Sequence, residues 1–267
     1  MLIFVYGTLL KGMERAYMLK QSKFKGPAIA KGNLYDLGDY PGIKDGENII
    51  IGELYEINDE TLSKLDVVED YNEDDINSSL FVRKKINACE FSEGRMVEVF
   101  AYYYNHEVDD RKFIAHGDYR RYLLEKEGND QFVIAYGSNM SSKRLSDRVG
   151  KLDEYKKGYI EGFKLVFNKK SDDKNTSYAN IKYTGKDKCP CIAWKLSRAQ
   201  VETLDGFEEV PSHYLRITVP MQEQNGRELI AQVYIASPDS IAERIQPEEW
   251  YLKHIQDGYK ENGFYYG

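Results

Sequence analysis

The chain has 267 residues, 42% of them hydrophobic, which suffices for one large or two ordinary domains with real cores. Its net charge is −7, and the excess of Asp and Glu falls wholly within residues 1–128, the remainder being balanced. Neither half is basic enough to grip a phosphate backbone, so nucleic acid and anionic membrane are excluded as expected partners and a small molecule or peptide is left.

The apolar run Met1–Leu10 contains Gly7 and Thr8, lacks a basic leader and a cleavage site, and is too short to span a bilayer. It is expected to be a first core strand in a cytoplasmic protein. Met13–Gln21 has helical composition, and Phe24–Leu37 is a strand candidate, followed by a turn at Asp39-Tyr40-Pro41-Gly42. Asn48–Ile57 alternates and is β-branched, a strand; Asn58 then caps a helix whose Leu62, Leu65 and Val68 face a core. Leu80–Ala88 and Met96–Tyr104 form a hairpin around Ser92-Glu93-Gly94-Arg95, and His116–Glu127 is amphipathic. The polar stretch Glu125–Asp130 marks a domain boundary, dividing residues 1–128 from 131–267.

The order then repeats: a strand at 132–136, a loop, a helix at 141–149, strands through Gly158–Phe167 and a polar loop at Lys169–Thr176. Cys191–Leu196 is a strand, and Ser197-Arg198-Ala199-Gln200 fits a capping box opening a helix through Val201 and Leu204. Tyr214–Met221 and Leu229–Ile235 are joined at Asn225-Gly226, a hairpin signal. A last helix begins at Pro247 and stops at Asn262-Gly263.

Three cysteines, Cys89, Cys189 and Cys191, argue against a disulfide framework, and Cys189-Pro190-Cys191 has the wrong spacing for a zinc knuckle. The four histidines show no ligand spacing. No metal and no cofactor are expected.

Two features recur in both halves. An apolar strand ends in Tyr-Gly-hydroxyl, at Tyr6-Gly7-Thr8 and Tyr136-Gly137-Ser138, and some 60 to 70 residues later a helix ends in Leu-Asp-x-x-Glu, at Glu69 and Glu208. Glycine after the strand lets backbone N–H groups converge on an oxygen, and a partly desolvated Glu can carry a proton between two nitrogens. Together they suffice for intramolecular acyl transfer. By charge alone the acidic run Glu69–Asp75 reads as a solvated face, and its place in the repeat is what singles out Glu69. Spacing leaves open whether Glu208 or Glu209 points inward, and register with Glu69 favours Glu208.

Both halves resemble the gamma-glutamylcyclotransferase family. The likeness rests on Tyr136–Met140, Tyr178-Ala179-Asn180-Ile181, Leu204-Asp205-x-x-Glu208 with Tyr214, and the Pro247…Tyr251…Ile255…Gly258 tail. In the first half it rests on Tyr6–Leu9, Leu34–Gly38 with Tyr40-Pro41-Gly42, Gly52–Tyr55, and Leu65-Asp66-x-x-Glu69 with Arg83. The resemblance implies an α+β fold of two tandem domains, each a small mixed β-barrel with peripheral helices, without cofactor, releasing 5-oxoproline from a γ-glutamyl amine or peptide. It further implies that Tyr136, Gly137, Ser138, Asn139 and Met140 with Tyr214, and Tyr6, Gly7, Thr8 and Leu9, hold the glutamyl head. Glu208 and Glu69 would be the acid/base residues. The chain departs from the family in two places. Glu209 and Asp70 stand where the family often has Gly, and Phe81 stands in the first half where Tyr214 stands in the second, which makes the first site the weaker expectation. The alternatives are a module that binds γ-glutamyl or peptide ligands without turnover, and one active domain with a structural duplicate.

Overall fold

The computed structural model describes residues 1–128, 130–172 and 175–266. Asn129 of the expected domain joint, Asp173 and Lys174 of the expected polar loop, and Gly267 lie outside the described residues. The described chain divides into two units, Met1–Tyr122 and Leu123–Gly267.

In the first unit the apolar opening forms β1 (Leu2–Val5), followed by β2 (Lys23–Asp36), β3 (Pro41–Glu56), α1 (Asp59–Val68), β4 (Phe81–Glu90), β5 (Met96–Tyr104) and, across the division, α2 (Tyr119–Glu127). The strands close a barrel in the order β1-β3-β2-β4-β5. All neighbours are antiparallel except β1 and β5, whose parallel pairing at Ile3 and Phe100 closes the ring. Asn58 caps α1 by accepting a hydrogen bond of 2.9 Å from the Thr61 amide, and Leu65 packs fully buried against Ile3, Val5 and Tyr102. That packing carries the end of α1, and with it Glu69, to the mouth of the barrel.

The second unit repeats the plan with β6 (Asp130–Ala135), α3 (Ser142–Val149), β7 (Tyr155–Lys170), β8 (Ser177–Ser197), α4 (Arg198–Phe207), β9 (Tyr214–Glu223), β10 (Glu228–Ala236) and α5 (Glu249–Glu261). Its order, β6-β8-β7-β9-β10, is that of the first unit strand for strand, closed again by a parallel pair, β6 with β10. The capping box at Ser197 forms as expected: Ser197 accepts from the Gln200 amide while Gln200 accepts from the Ser197 amide. The expected α+β fold of two tandem mixed barrels is therefore what the chain adopts.

The differences from expectation have simple causes. Met13–Gln21 forms only a short 3-10 turn at Ala16–Leu19. β8 runs 21 residues where only Cys191–Leu196 read as strand, because its polar stretch at 182–188, paired with β7 at Lys182, Tyr183 and Lys188 on either side of a register shift, is partly exposed and needs no apolar alternation. Among the described residues no helix is long and apolar enough to cross a membrane.

Candidate active sites

In each unit the loop after the first strand and the end of the helix before the fourth strand meet over a cavity. The glycine in the loop is required by close approach. A Cβ on Gly7 would come within 2.7 Å of the Pro41 ring, and one on Gly137 within 2.8 Å of the Ala179 Cβ. Neither glycine has positive φ, so close approach and not a left-handed turn is what the position asks of it. The amides of Thr8 and Leu9, and of Ser138 and Asn139, have no protein acceptor among the described residues, so they remain free to donate to a ligand oxygen.

Of the expected head-binding residues, Tyr6 and Tyr136 form the floor. Their hydroxyls donate to the backbone carbonyls of Tyr102 at 2.7 Å and Tyr234 at 2.6 Å, which ties the loop to the last barrel strand. Met140 is fully buried and lines neither cavity; it packs beneath Gly258 of α5, and its carbonyl accepts from Asn262. Tyr214 and Phe81 each open a fourth strand and each line their cavity. The Tyr214 hydroxyl, however, donates to the Ala179 carbonyl at 2.7 Å, so it braces the wall.

The two carboxylates end their helices in the same backbone conformation, Glu69 with φ −85° and ψ 3°, Glu208 with φ −91° and ψ 0°. The residue after each, Asp70 at φ 49° and Glu209 at φ 53°, is left-handed, a conformation that glycine adopts without strain. Each helix end is held by the Asp of its Leu-Asp-x-x-Glu. Tyr102 donates to Asp66 and Tyr234 to Asp205, both at 2.7 Å, and Arg83 and Arg216 pair with the same two carboxylates. Tyr102, Tyr234 and Arg216 had no signal of their own, since they lie in strands whose aromatic and charged residues read as ordinary β alternation.

Around the glutamates the sites diverge. Glu69 lines a cavity of about 130 Å³ walled by Phe4, Tyr40, Pro41, Leu80 and Phe81, with Arg15 as the other charged side chain. No described residue hydrogen-bonds or ion-pairs with its carboxylate. Burial pushes its pKa up to about 7, against a weaker downward pull from Arg15. In the second unit Asn139 stands where Leu9 stands in the first. Its Nδ2 donates to Glu208 Oε1 at 3.0 Å, and Arg148 Nη1 pairs with the same oxygen at 2.8 Å. Glu208 lines both a small cavity of about 40 Å³ on the loop side and a chamber of about 250 Å³ beyond it. Glu208, not Glu209, reaches the loop, as register indicated; Glu209 lines the outer chamber only.

The chamber is densely charged. Lys169 Nζ lies 2.6 Å from His213 Nδ1, Glu209 contacts the same nitrogen at 2.6 Å, and Asp172 meets Nε2 at 2.9 Å. Asp172, Glu209 and His213 bring three potential ligand atoms within 4.8 Å of one another, a grouping that sequence spacing does not reveal. Both imidazole nitrogens are already contacted and the Lys169 ammonium sits among the donors, a poor set for a divalent cation.

Comparison with known proteins agrees with this geometry. A family profile described as gamma-glutamyl cyclotransferase, AIG2-like, matches residues 3–121, and one described as AIG2-like matches residues 191–265. A putative gamma-glutamylcyclotransferase of Vibrio cholerae is 42% identical over 71 residues, which is 26% of this chain and only 62% of that protein. The gamma-glutamylcyclotransferase of Bos taurus is 30% identical over 146 residues, 53% of this chain and 76% of that protein. The crystal structure of YkqA from Bacillus subtilis superposes with a TM-score of 0.78 at 21% identity, covering 97% of this chain and 91% of that one, a likeness of fold. Two barrels of one topology, each with a glycine loop facing a helix-terminal glutamate, and these matches place the chain in the gamma-glutamylcyclotransferase family, as a tandem arrangement of two such domains.

Proposed function

We propose that the chain is a cofactor-free γ-glutamyl cyclotransferase with two sites, releasing 5-oxoproline from γ-glutamyl amines or peptides. The observation that carries this reading is the placement of Glu69 and Glu208, each in a cavity shared with a loop whose amides are free. In the proposed reaction the carboxylate takes a proton from the substrate α-ammonium, and the freed amine attacks the γ-carbonyl carbon. The carbonyl oxygen, becoming an oxyanion, accepts hydrogen bonds from the Thr8 and Leu9 amides, or from those of Ser138 and Asn139. Collapse breaks the γ-amide C–N bond as the protonated glutamate returns its proton to the departing nitrogen, and the second proton of the attacking nitrogen passes through the same carboxylate to the freed amine, which leaves as an ammonium. Ring closure is intramolecular, so holding the glutamyl chain folded supplies much of the rate, with effective molarities of roughly 10⁵ M or more for aligned attack.

A carboxylate with a pKa near 7 is matched to both halves of this proton shuttle at neutral pH, which favours Glu69 as a working base. The Arg148 pair supports a second reading for the second unit alone: a site that binds γ-glutamyl ligands with its carboxylate committed. Incubation with a mixture of γ-glutamyl amines and dipeptides, followed by mass-spectrometric detection of 5-oxoproline, tests the function. No 5-oxoproline from any of them would leave the binding reading standing.

A further inference from the structure

Glu208 stands between two spaces. The loop residues Tyr136–Asn139, with Ala179, Tyr234 and Tyr251, line the small cavity, whereas Arg144, Arg148, Lys169, His213 and Trp250 line the chamber. On the cyclotransferase reading, on which this inference rests, the glutamyl head lies against the loop and the leaving amine falls into the chamber.

One cation of the chamber lacks a counter-charge. Arg148 is paired with Glu208, and Lys169, Glu209 and Asp172 are gathered round His213. Arg144 makes no ion pair with any described residue, and its Nε is buried without a hydrogen-bond partner. It lies one helical turn before Arg148 on α3, a like charge, while Glu208, already paired with Arg148, acts on it in the opposite sense. Burial, and then Arg148, lower its pKa, so an anion placed beside it would relieve both penalties. In the first cavity the lining cation, Arg15, acts on Glu69, whose carboxylate no other described group engages, and the remaining walls are mostly aromatic and aliphatic.

We propose that Arg144 forms a carboxylate subsite for the leaving group. The second site then releases amines that carry a carboxylate close to the scissile amide, such as amino acids and short peptides. The first site takes γ-glutamyl derivatives of neutral amines.

The test uses the full chain and a matched pair of substrates, γ-glutamylglycine and γ-glutamylglycinamide, which differ only in leaving-group charge. Glu69→Gln isolates the second site and Glu208→Gln the first. The Glu69→Gln chain is expected to prefer γ-glutamylglycine by about tenfold or more in kcat/KM, mostly through KM, as one charge-assisted hydrogen-bond pair supplies. Adding Arg144→Gln brings that ratio close to one, and Arg144→Lys, the safer variant for folding, retains part of it. The Glu208→Gln chain shows no preference for the carboxylate. An equal loss for both substrates in Arg144→Gln would assign Arg144 to the α-carboxylate of the glutamyl head and overturn the leaving-group subsite. Absence of turnover by the unmodified chain would sink the cyclotransferase reading instead. Calorimetric binding of the same pair, with and without Arg144→Gln, then decides the subsite: preference for the glycine compound lost in the variant sustains it, and equal binding or none refutes it.

Discussion

Glu69 and Glu208 occupy the same position on the same fold, yet one is bare and the other is clamped. The cause is a handful of residues: Leu9 against Asn139 in the loop, and Arg148 on α3, whose contact has no counterpart at Glu69. Topology places a carboxylate, and its immediate neighbours decide whether it stands alone in an apolar wall or is held in an ion pair. The contrast bears on the ranking that Phe81 suggests from sequence. The hydroxyl missing at Phe81 is one that Tyr214 directs to a backbone carbonyl, so its loss takes no donor from the cavity.

The largest expected effect tests whether both carboxylates work. Glu69→Gln and Glu208→Gln should each lower turnover at their own site by at least ~10²-fold, because an amide cannot accept and return the proton. The double variant should produce no 5-oxoproline above background. Undiminished product from a folded double variant removes both glutamates from the mechanism.

Stability should move in opposite directions. Glu69 has a folded pKa of about 7 against an ordinary value of 4.5, so between these values the folded state binds more protons and stability falls as pH rises. Above pH 7 the penalty for the ionised, buried carboxylate is fully present, about 3 kcal/mol on the conversion of pKa shift to free energy. Glu69→Gln should therefore stabilise the first unit at pH 8, with the gain gone below about pH 4.5. Glu208→Gln should destabilise the second unit by about 1–3 kcal/mol, since it leaves Arg148 half-buried without its anion. Denaturant melts of both variants at pH 8 and pH 4 would show the two signs, and melts shifted alike would erase the electrostatic contrast.

The same difference should appear in rate. With Glu208→Gln removing the second site, kcat/KM of the first should climb about tenfold per pH unit on the acid side and level off near pH 7, where Glu69 becomes ionised. A profile flat from pH 5 to 8 would mean that Glu69 is not the base.

Much of this was readable in the sequence, and the parts that were not share one physical reason. Tyr-Gly-Ser/Thr and Leu-Asp-x-x-Glu are local patterns whose repetition exposes the duplication, so the barrels, the loops and both glutamates could be named beforehand. Arg144, Arg148 and Lys169 lie on amphipathic or alternating segments where a cation ordinarily faces water. Only the closure of the second barrel turns them into the same chamber. Asp172, from just beyond β7, likewise meets Glu209 and His213, from the turn between α4 and β9, and no spacing rule anticipates its arrival there.

A smaller effect concerns the wall. Tyr214→Phe copies the first unit and deletes the hydrogen bond to the Ala179 carbonyl, which should cost about 1 kcal/mol of stability, the usual net worth of such a bond. Turnover by the second site should fall far less than in Glu208→Gln. A loss equal to that of Glu208→Gln would place the hydroxyl in the chemistry and restore the distinction that Phe81 draws.

The smallest expected change lies one residue beyond the first glutamate. Asp70 holds φ at 49°, a conformation that disfavours a side chain with Cβ, while its own side chain is exposed. Its amide and carbonyl are already engaged, with Val67 and Leu80, so the backbone is fixed whichever residue stands there. Asp70→Gly removes the strain but also loosens the unfolded chain, and the two terms oppose, leaving a net gain of about 0.5 kcal/mol. At Glu209 the same exchange also removes the 2.6 Å contact with His213, so Glu209→Gly should show no gain. Chemical denaturation of the two variants distinguishes the cases. Equal gains would mean that the Glu209–His213 contact contributes nothing to the second unit, and a loss at Asp70 would mean that the left-handed turn depends on its carboxylate.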